Sequence, residues 1–178
     1  MGIIAIVGAG NVGQAIAGHM TLLGHEVRLY SRWERDFEAI TSTGGIELSG
    51  DVEGRAAKPL LTTDLVTAVR GADTIIVAAP AFAHAYFSEQ LAALLEPGQL
   101  VVFQPGVLGS SLELARHFAL AQRRPCLIAE TATSLYTCRL RGPAKVFIGA
   151  IKQAVPLATI PHAACQEALA RLSPYFGN

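Results

Sequence analysis

Hydrophobic positions fall into short runs separated by segments in which they recur every three to four residues, and the two patterns alternate along the chain. Ile3-Ile4-Ala5-Ile6-Val7 reads as a first buried strand. Val12, Ala15, Ile16 and Met20, with Leu23 close by, make the apolar face of a helix that Gly24 stops, and residues 26–31 read as a second strand. Residues 35–43 predict a short helix, and residues 44–54 a hairpin around Ser49-Gly50-Asp51. Thr62-Thr63-Asp64 offers an N-cap for a short helix ending at Gly71. Residues 73–79 are almost continuously apolar and rich in β-branched side chains, as in a parallel strand covered on both faces, and Pro80 ends that strand.

The alternation continues to the C-terminus. A helix is predicted over 82–95 up to Pro97-Gly98, a strand over 100–103, a helix over 112–121 and a strand over 126–129, which residues 130–133 leave as a polar segment. Residues 136–150 read as an antiparallel hairpin around Gly142-Pro143 added to the sheet, and Pro161 starts a last helix through Leu172. Such alternation predicts a doubly wound, mostly parallel α/β sheet of the Rossmann type, with an added C-terminal hairpin and helix.

The most specific chemistry lies where the first strand turns into the first helix. Gly8-Ala9-Gly10-Asn11-Val12-Gly13 has the G-x-G-x-x-G spacing of a dinucleotide cradle. Gly8 would allow the tight turn, Gly10 the approach of a pyrophosphate and Gly13 close packing of helix on strand, with Asn11 and Val12 in the first helical turn facing the phosphates. The second strand completes a βαβ unit of about 30 residues. About 20 residues past the glycines, NAD-selective folds place an Asp or Glu, whereas this chain has Ser31-Arg32. Arg32 can pair with a 2′-phosphate through its planar fork, Ser31 can donate to it, Arg35 adds charge, and Trp33 or Arg32 can cover an adenine. NADP is therefore the expected cofactor, with NAD possible if Arg32 is simply solvated and Glu34 serves the ribose.

Composition narrows the classes further. The 178 residues suffice for one domain spanning 1–178, and a formal net charge of zero argues against a nucleic-acid or membrane-surface partner. Hydrophobic residues make up 51%, but no run of 18 or more could span a bilayer, and with no basic segment before the first strand a cytoplasmic location is expected. Cys126, Cys138 and Cys165 lack redox or metal spacing and read as buried free thiols. The five histidines show no metal-ligand pattern.

In open α/β sheets ligands collect at the carboxyl ends of the strands. Those ends bring Ala79 and Pro80, then Pro105 and Gly106, towards a nicotinamide, and Glu130-Thr131 beyond them. His84, one turn into its helix, could bind a substrate carboxylate or shuttle a proton; alternatively it packs on Phe82 as a partly buried histidine. Glu130 is a candidate acid or base, or an anchor for backbone N–H groups. No catalytic triad or carboxylate pair is evident.

Four stretches together resemble the opine dehydrogenases of the octopine/nopaline type: Gly8 to Gly13 with Gly24-His25-Glu26-Val27; Ala78-Ala79-Pro80-Ala81-Phe82-Ala83-His84-Ala85-Tyr86; Pro97-Gly98-Gln99 leading to Pro105-Gly106; and Ala129-Glu130-Thr131 with Tyr136-Thr137-Cys138-Arg139. The resemblance runs over essentially the whole chain. It implies NAD(P)H-dependent reductive condensation of an α-keto acid with an amino acid, hydride going to an imine carbon, with Thr131 and His84 at the substrate edge. It also implies a second, mostly helical domain carrying the catalytic histidine and its acidic partner, which lies outside these residues; no catalytic residue is assigned here, and little turnover is expected of this part alone. Apolar surface left without that domain would favour homo-oligomers. Ketopantoate-reductase-like and glycerol-3-phosphate-dehydrogenase-like enzymes share the same glycine turn, and a non-catalytic NADP-binding module is the reading from another class.

Overall fold

The computed structural model describes residues 2–106 and 109–176. Along the chain run β1 (Ile3–Val7), α1 (Asn11–Leu22), β2 (Glu26–Tyr30), a 3-10 turn (Glu34–Phe37), α2 (Glu38–Thr43), β3 (Gly45–Gly50), β4 (Gly54–Ala57), β5 (Leu60–Thr62) and α3 (Leu65–Val69). There follow β6 (Thr74–Val77), α4 (His84–Leu94), β7 (Leu100–Phe103), α5 (Ser110–Leu120), β8 (Leu127–Thr131), β9 (Tyr136–Gly142), β10 (Lys145–Ile151), β11 (Leu157–Ile160) and α6 (Cys165–Phe176).

The main sheet has the order β11-β8-β7-β6-β1-β2-β5, and every neighbouring pair is parallel except β11 on β8. Strand order reverses between β1 and β6, which opens a crevice at their carboxyl ends. The apolar runs are explained by what covers each face. Ile4 and Ile6 of β1 pack with Val27, Leu29 and the buried face of α1, while Ala5 and Val7 pack with Ile75, Val77, Phe87 and Phe103 on the other side. Side chains alternate along a strand, so a sheet covered on both sides needs apolar residues at every position. Each fully buried Ile or Leu contributes about 1.5–3 kcal/mol of hydrophobic stabilisation.

Several elements differ from the sequence reading. The C-terminal hairpin forms, but it does not extend the main sheet: β9 and β10 join β3 and β4 in a separate sheet, order β4-β3-β10-β9, with β10 parallel to β3. This second sheet covers the outer side of α1, where a Cβ on Gly18 would come within 2.9 Å of Leu48 Cδ2. That helix is therefore buried on both sides, from Gly13 through Gly18 and at Met20. The edge strands β5 and β11 were not anticipated, Glu130 and Thr131 belong to β8 itself, α5 starts at Ser110, and α6 continues to Phe176. The N-cap at Asp64 is as expected, its carboxylate accepting from Val66 N at 3.2 Å and Thr67 N at 3.0 Å. No described helix is long and apolar enough to cross a membrane.

Candidate dinucleotide cleft

Each glycine of the turn has a separate physical reason. Gly8 adopts φ +117, a conformation that side-chain-bearing residues rarely take, and its N–H donates to Tyr30 O at 2.9 Å. A Cβ at Gly13 would meet Gly8 O at 1.7 Å, so α1 leaves β1 with no room for a methyl group. Gly10 has an ordinary extended backbone, φ −78 and ψ −164, and nothing lies within 4 Å of the place its Cβ would occupy. Neither backbone geometry nor packing requires a glycine there. The first N–H groups of a helix have no acceptors within it, and together with the helix dipole they favour an anion in the space in front of Gly10.

That space belongs to a cleft of about 670 Å³ at the β1/β6 crossover. Gly8, Gly10, Asn11, Val12, Ser31, Arg32, Ala79, Pro80 and Pro105 all line it, so residues from four strand ends meet at one site. Gly13 lies behind the turn and shapes it. Asn11 is held from the second sheet: its Oδ1 accepts from Leu140 N at 2.7 Å. Gln14 Nε2 donates to Ala9 O at 2.9 Å and braces the turn from within.

At the β2 end the Arg32 guanidinium lies 4.8 Å from the Tyr86 ring centre and 5.4 Å from that of Trp33, and Arg35 lies 5.3 Å from the Trp33 ring. Cation–π contact holds Arg32 at the cleft wall and Arg35 against Trp33, which itself lines the cleft. Tyr86, two residues past His84 on α4, was missed, because nothing in its spacing from Arg32 shows that they meet. Asp36 was missed too: it lines the cleft and accepts a short hydrogen bond from the Ser31 hydroxyl, which also accepts from Trp33 N at 3.3 Å. Its position, four residues after Arg32 on a 3-10 turn, was the available signal.

The remaining candidates do not all face this cleft. His84 is buried, with Nδ1 2.7 Å from Ser110 Oγ and Nε2 2.9 Å from Ala79 O. It packs on Phe103, ring centres 5.2 Å apart, and not on Phe82, which is 89% exposed at the cleft rim. Burial lowers its pKa from the ordinary 6.5, partly opposed by the hydrogen bond to Ala79 and the charge of Glu130. Of the two readings of Glu130, the structure bears out the anchor: its Oε2 accepts from Ser111 N at 2.9 Å in the first turn of α5. Gly106 is packed against it, since a Cβ there would fall 2.3 Å from Glu130 Cβ. Gly106 and Thr131 line a neighbouring depression of about 400 Å³, and Thr131 Oγ1 donates to Phe103 O at 3.4 Å.

The family model for ketopantoate reductase PanE/ApbA matches residues 4–153. An opine dehydrogenase from Arthrobacter sp. (strain 1C) is 33% identical over 169 residues, covering 94% of this chain and 47% of that protein. Among solved structures, octopine dehydrogenase with NADH and L-arginine superposes with a TM-score of 0.84 at 21% identity, over 98% of this chain and 46% of that one. Yersinopine dehydrogenase with bound NADP+ gives 0.76 at 20% identity, over 99% and 46%. At these identities the solved structures speak for the fold, which is the Rossmann-type domain expected. The chain spans less than half the length of the curated relatives it matches. Similar over 94% of its length to an opine dehydrogenase, the chain belongs to the ketopantoate reductase PanE/ApbA family.

Proposed function

We propose that this chain holds NADP(H), or less tightly NAD(H), as the cofactor-binding unit of a dehydrogenase of the opine type. The observation that carries the reading is Gly10, a glycine with ordinary backbone angles facing empty space between two glycines that the turn itself demands. A pyrophosphate there would accept from the first N–H groups of α1. Arg32 would pair with the 2′-phosphate, with Arg35 adding charge nearby; the Ser31 hydroxyl, expected as a donor to that phosphate, instead donates its one hydrogen to Asp36, the one acidic group lining the cleft among the described residues. Ala79, Pro80 and Pro105 offer walls without long side chains to a nicotinamide, and Gly106 and Thr131 continue towards the substrate. His84, with both ring nitrogens engaged, acts as a positioning residue that ties Ala79 to the start of α5.

When bound, the nicotinamide supplies a hydride, and in the opine reading the acceptor is the imine carbon formed from an α-keto acid and an amino acid. The likeness to an opine dehydrogenase over 94% of the chain supports this reading. The PanE/ApbA model favours a second one, direct reduction of a keto group. The two differ in whether NADPH oxidation with a keto acid such as pyruvate requires an added amino acid. Cofactor binding itself is tested by titrating the unmodified chain and Gly10→Val with NADPH and NADH. We expect tighter NADPH binding in the unmodified chain and none in the variant; retained binding in Gly10→Val sinks the cradle, and equal affinities sink the preference for NADP.

A further inference from the structure

A second cavity, of about 370 Å³, lies at the carboxyl ends of β7 and β8 beside α6, and its chemistry differs from that of the dinucleotide cleft. Its walls are largely aliphatic, with Val102 from β7, Leu157 from β11 and Leu169 and Leu172 from α6. Lys152 is the one charged side chain lining it among the described residues; its Nζ donates to Thr133 Oγ1 at 2.9 Å. Gln104, the residue after β7, borders both this cavity and the dinucleotide cleft. It is fully buried, and neither its Oε1 nor its Nε2 has a hydrogen-bond partner. Buried side-chain amides almost always have partners, because leaving them unpaired costs free energy.

We propose that this second cavity holds the side chain of an α-amino acid with an aliphatic or aromatic side chain, its head group meeting Gln104. An amide presents a donor and an acceptor, and an amino acid offers the complementary pair: its carboxylate accepts from Nε2 and its ammonium donates to Oε1. The cavity lining has neutral polar groups at Thr131, Gln153 and Ser173 but, among the described residues, no carboxylate to pair with a guanidinium or ammonium side chain, and Lys152 repels such a charge. An apolar side chain loses nothing there and removes hydrophobic surface from water. Gln104 belongs to the walls of both cavities, so the amino group would stand beside the nicotinamide end of the cleft. The assignment rests on the dehydrogenase reading of that cleft, to which it adds the class of the amine substrate.

The test is a methyl NMR titration of the whole chain with L-leucine, L-phenylalanine and L-arginine, with and without NADPH. Leucine and phenylalanine should shift the methyl signals of Leu157, Leu169 and Leu172 and bind at least about tenfold more tightly than arginine. Gln104→Met keeps the shape without the amide, so the fold should persist while leucine binding weakens about tenfold. Lys152→Glu, at an exposed position, should narrow the gap between leucine and arginine. Silent leucine methyls, equal binding of arginine, or no effect of Gln104→Met in a folded protein would overturn the assignment. The methyls of Val12 and Ala79 report cofactor separately: if they ignore NADPH while the leucine methyls respond to leucine, the dehydrogenase reading and the role of the amino acid as amine substrate fall together, and only amino-acid binding in the cavity stands.

Discussion

Gly10 and Gly13 are identical residues three positions apart, yet they answer to different demands. Gly13→Ala would force a methyl group onto Gly8 O, 1.7 Å from its ideal place, and should destabilise the chain by about 3 kcal/mol, seen as a lower urea midpoint. The expected result for Gly10→Val is the reverse: little change in that midpoint but no cofactor binding. Equal denaturation losses in both variants would contradict this division of roles. The spacing G-x-G-x-x-G made both legible, because the motif encodes both requirements. Arg32 was legible as a cation at the right distance from the glycines, but its stacking partner Tyr86 was not, since a contact between residues 54 positions apart leaves no local pattern. Arg32→Ala should cost about 2 kcal/mol of NADPH affinity, roughly thirtyfold, and leave NADH nearly unchanged. Parallel titrations check this, and an equal loss for both cofactors would mean that Arg32 does not read the 2′-phosphate.

The join between α4 and α5 runs through His84, which bonds Ser110 at one ring nitrogen and Ala79 at the other. Its folded pKa lies below the ordinary 6.5, chiefly through burial, and His19 in α1 is lowered for the same reason. The unfolded chain therefore takes up these protons first as pH falls. Stability from the two neutral imidazoles is complete above about pH 6.5 and is lost as pH drops below it towards their folded values. The urea midpoint should fall between about pH 7.5 and 5.5, and His84→Gln should show a shallower fall; an unchanged slope would remove His84 from the account. Helices and central strands were readable here because continuous apolar runs and N-caps such as Asp64 are local signals. The edge strands β5 and β11 were not, because three or four residues carry too little periodicity to distinguish a strand from a loop. A hairpin's partner sheet is likewise a long-range matter: nothing in residues 136–150 says that β10 will pair with β3 a hundred residues earlier.

The two sheets, the buried helix between them and the cleft at the strand crossover act as one unit, so a ligand in the cleft should stabilise the whole. NADPH at a hundred times its dissociation constant should add about 2.7 kcal/mol and raise the melting temperature by roughly 5–10 °C. NADH at the same concentration should give a smaller rise, and Gly10→Val none; an unmodified chain whose melting is indifferent to NADPH would count against the proposed site. The alternation of apolar runs and amphipathic segments, with glycines at a fixed spacing after the first run, already specified a parallel α/β sheet with a tight glycine turn between its first strand and helix, because these are consequences of short-range geometry. The tertiary structure decided which strand ends share a cleft, that α1 is covered on both faces, that His84 is buried between Ala79 and Ser110, and that Gln104 is left without partners between two cavities. Those facts depend on distances between residues far apart in the chain, and folding alone sets such distances.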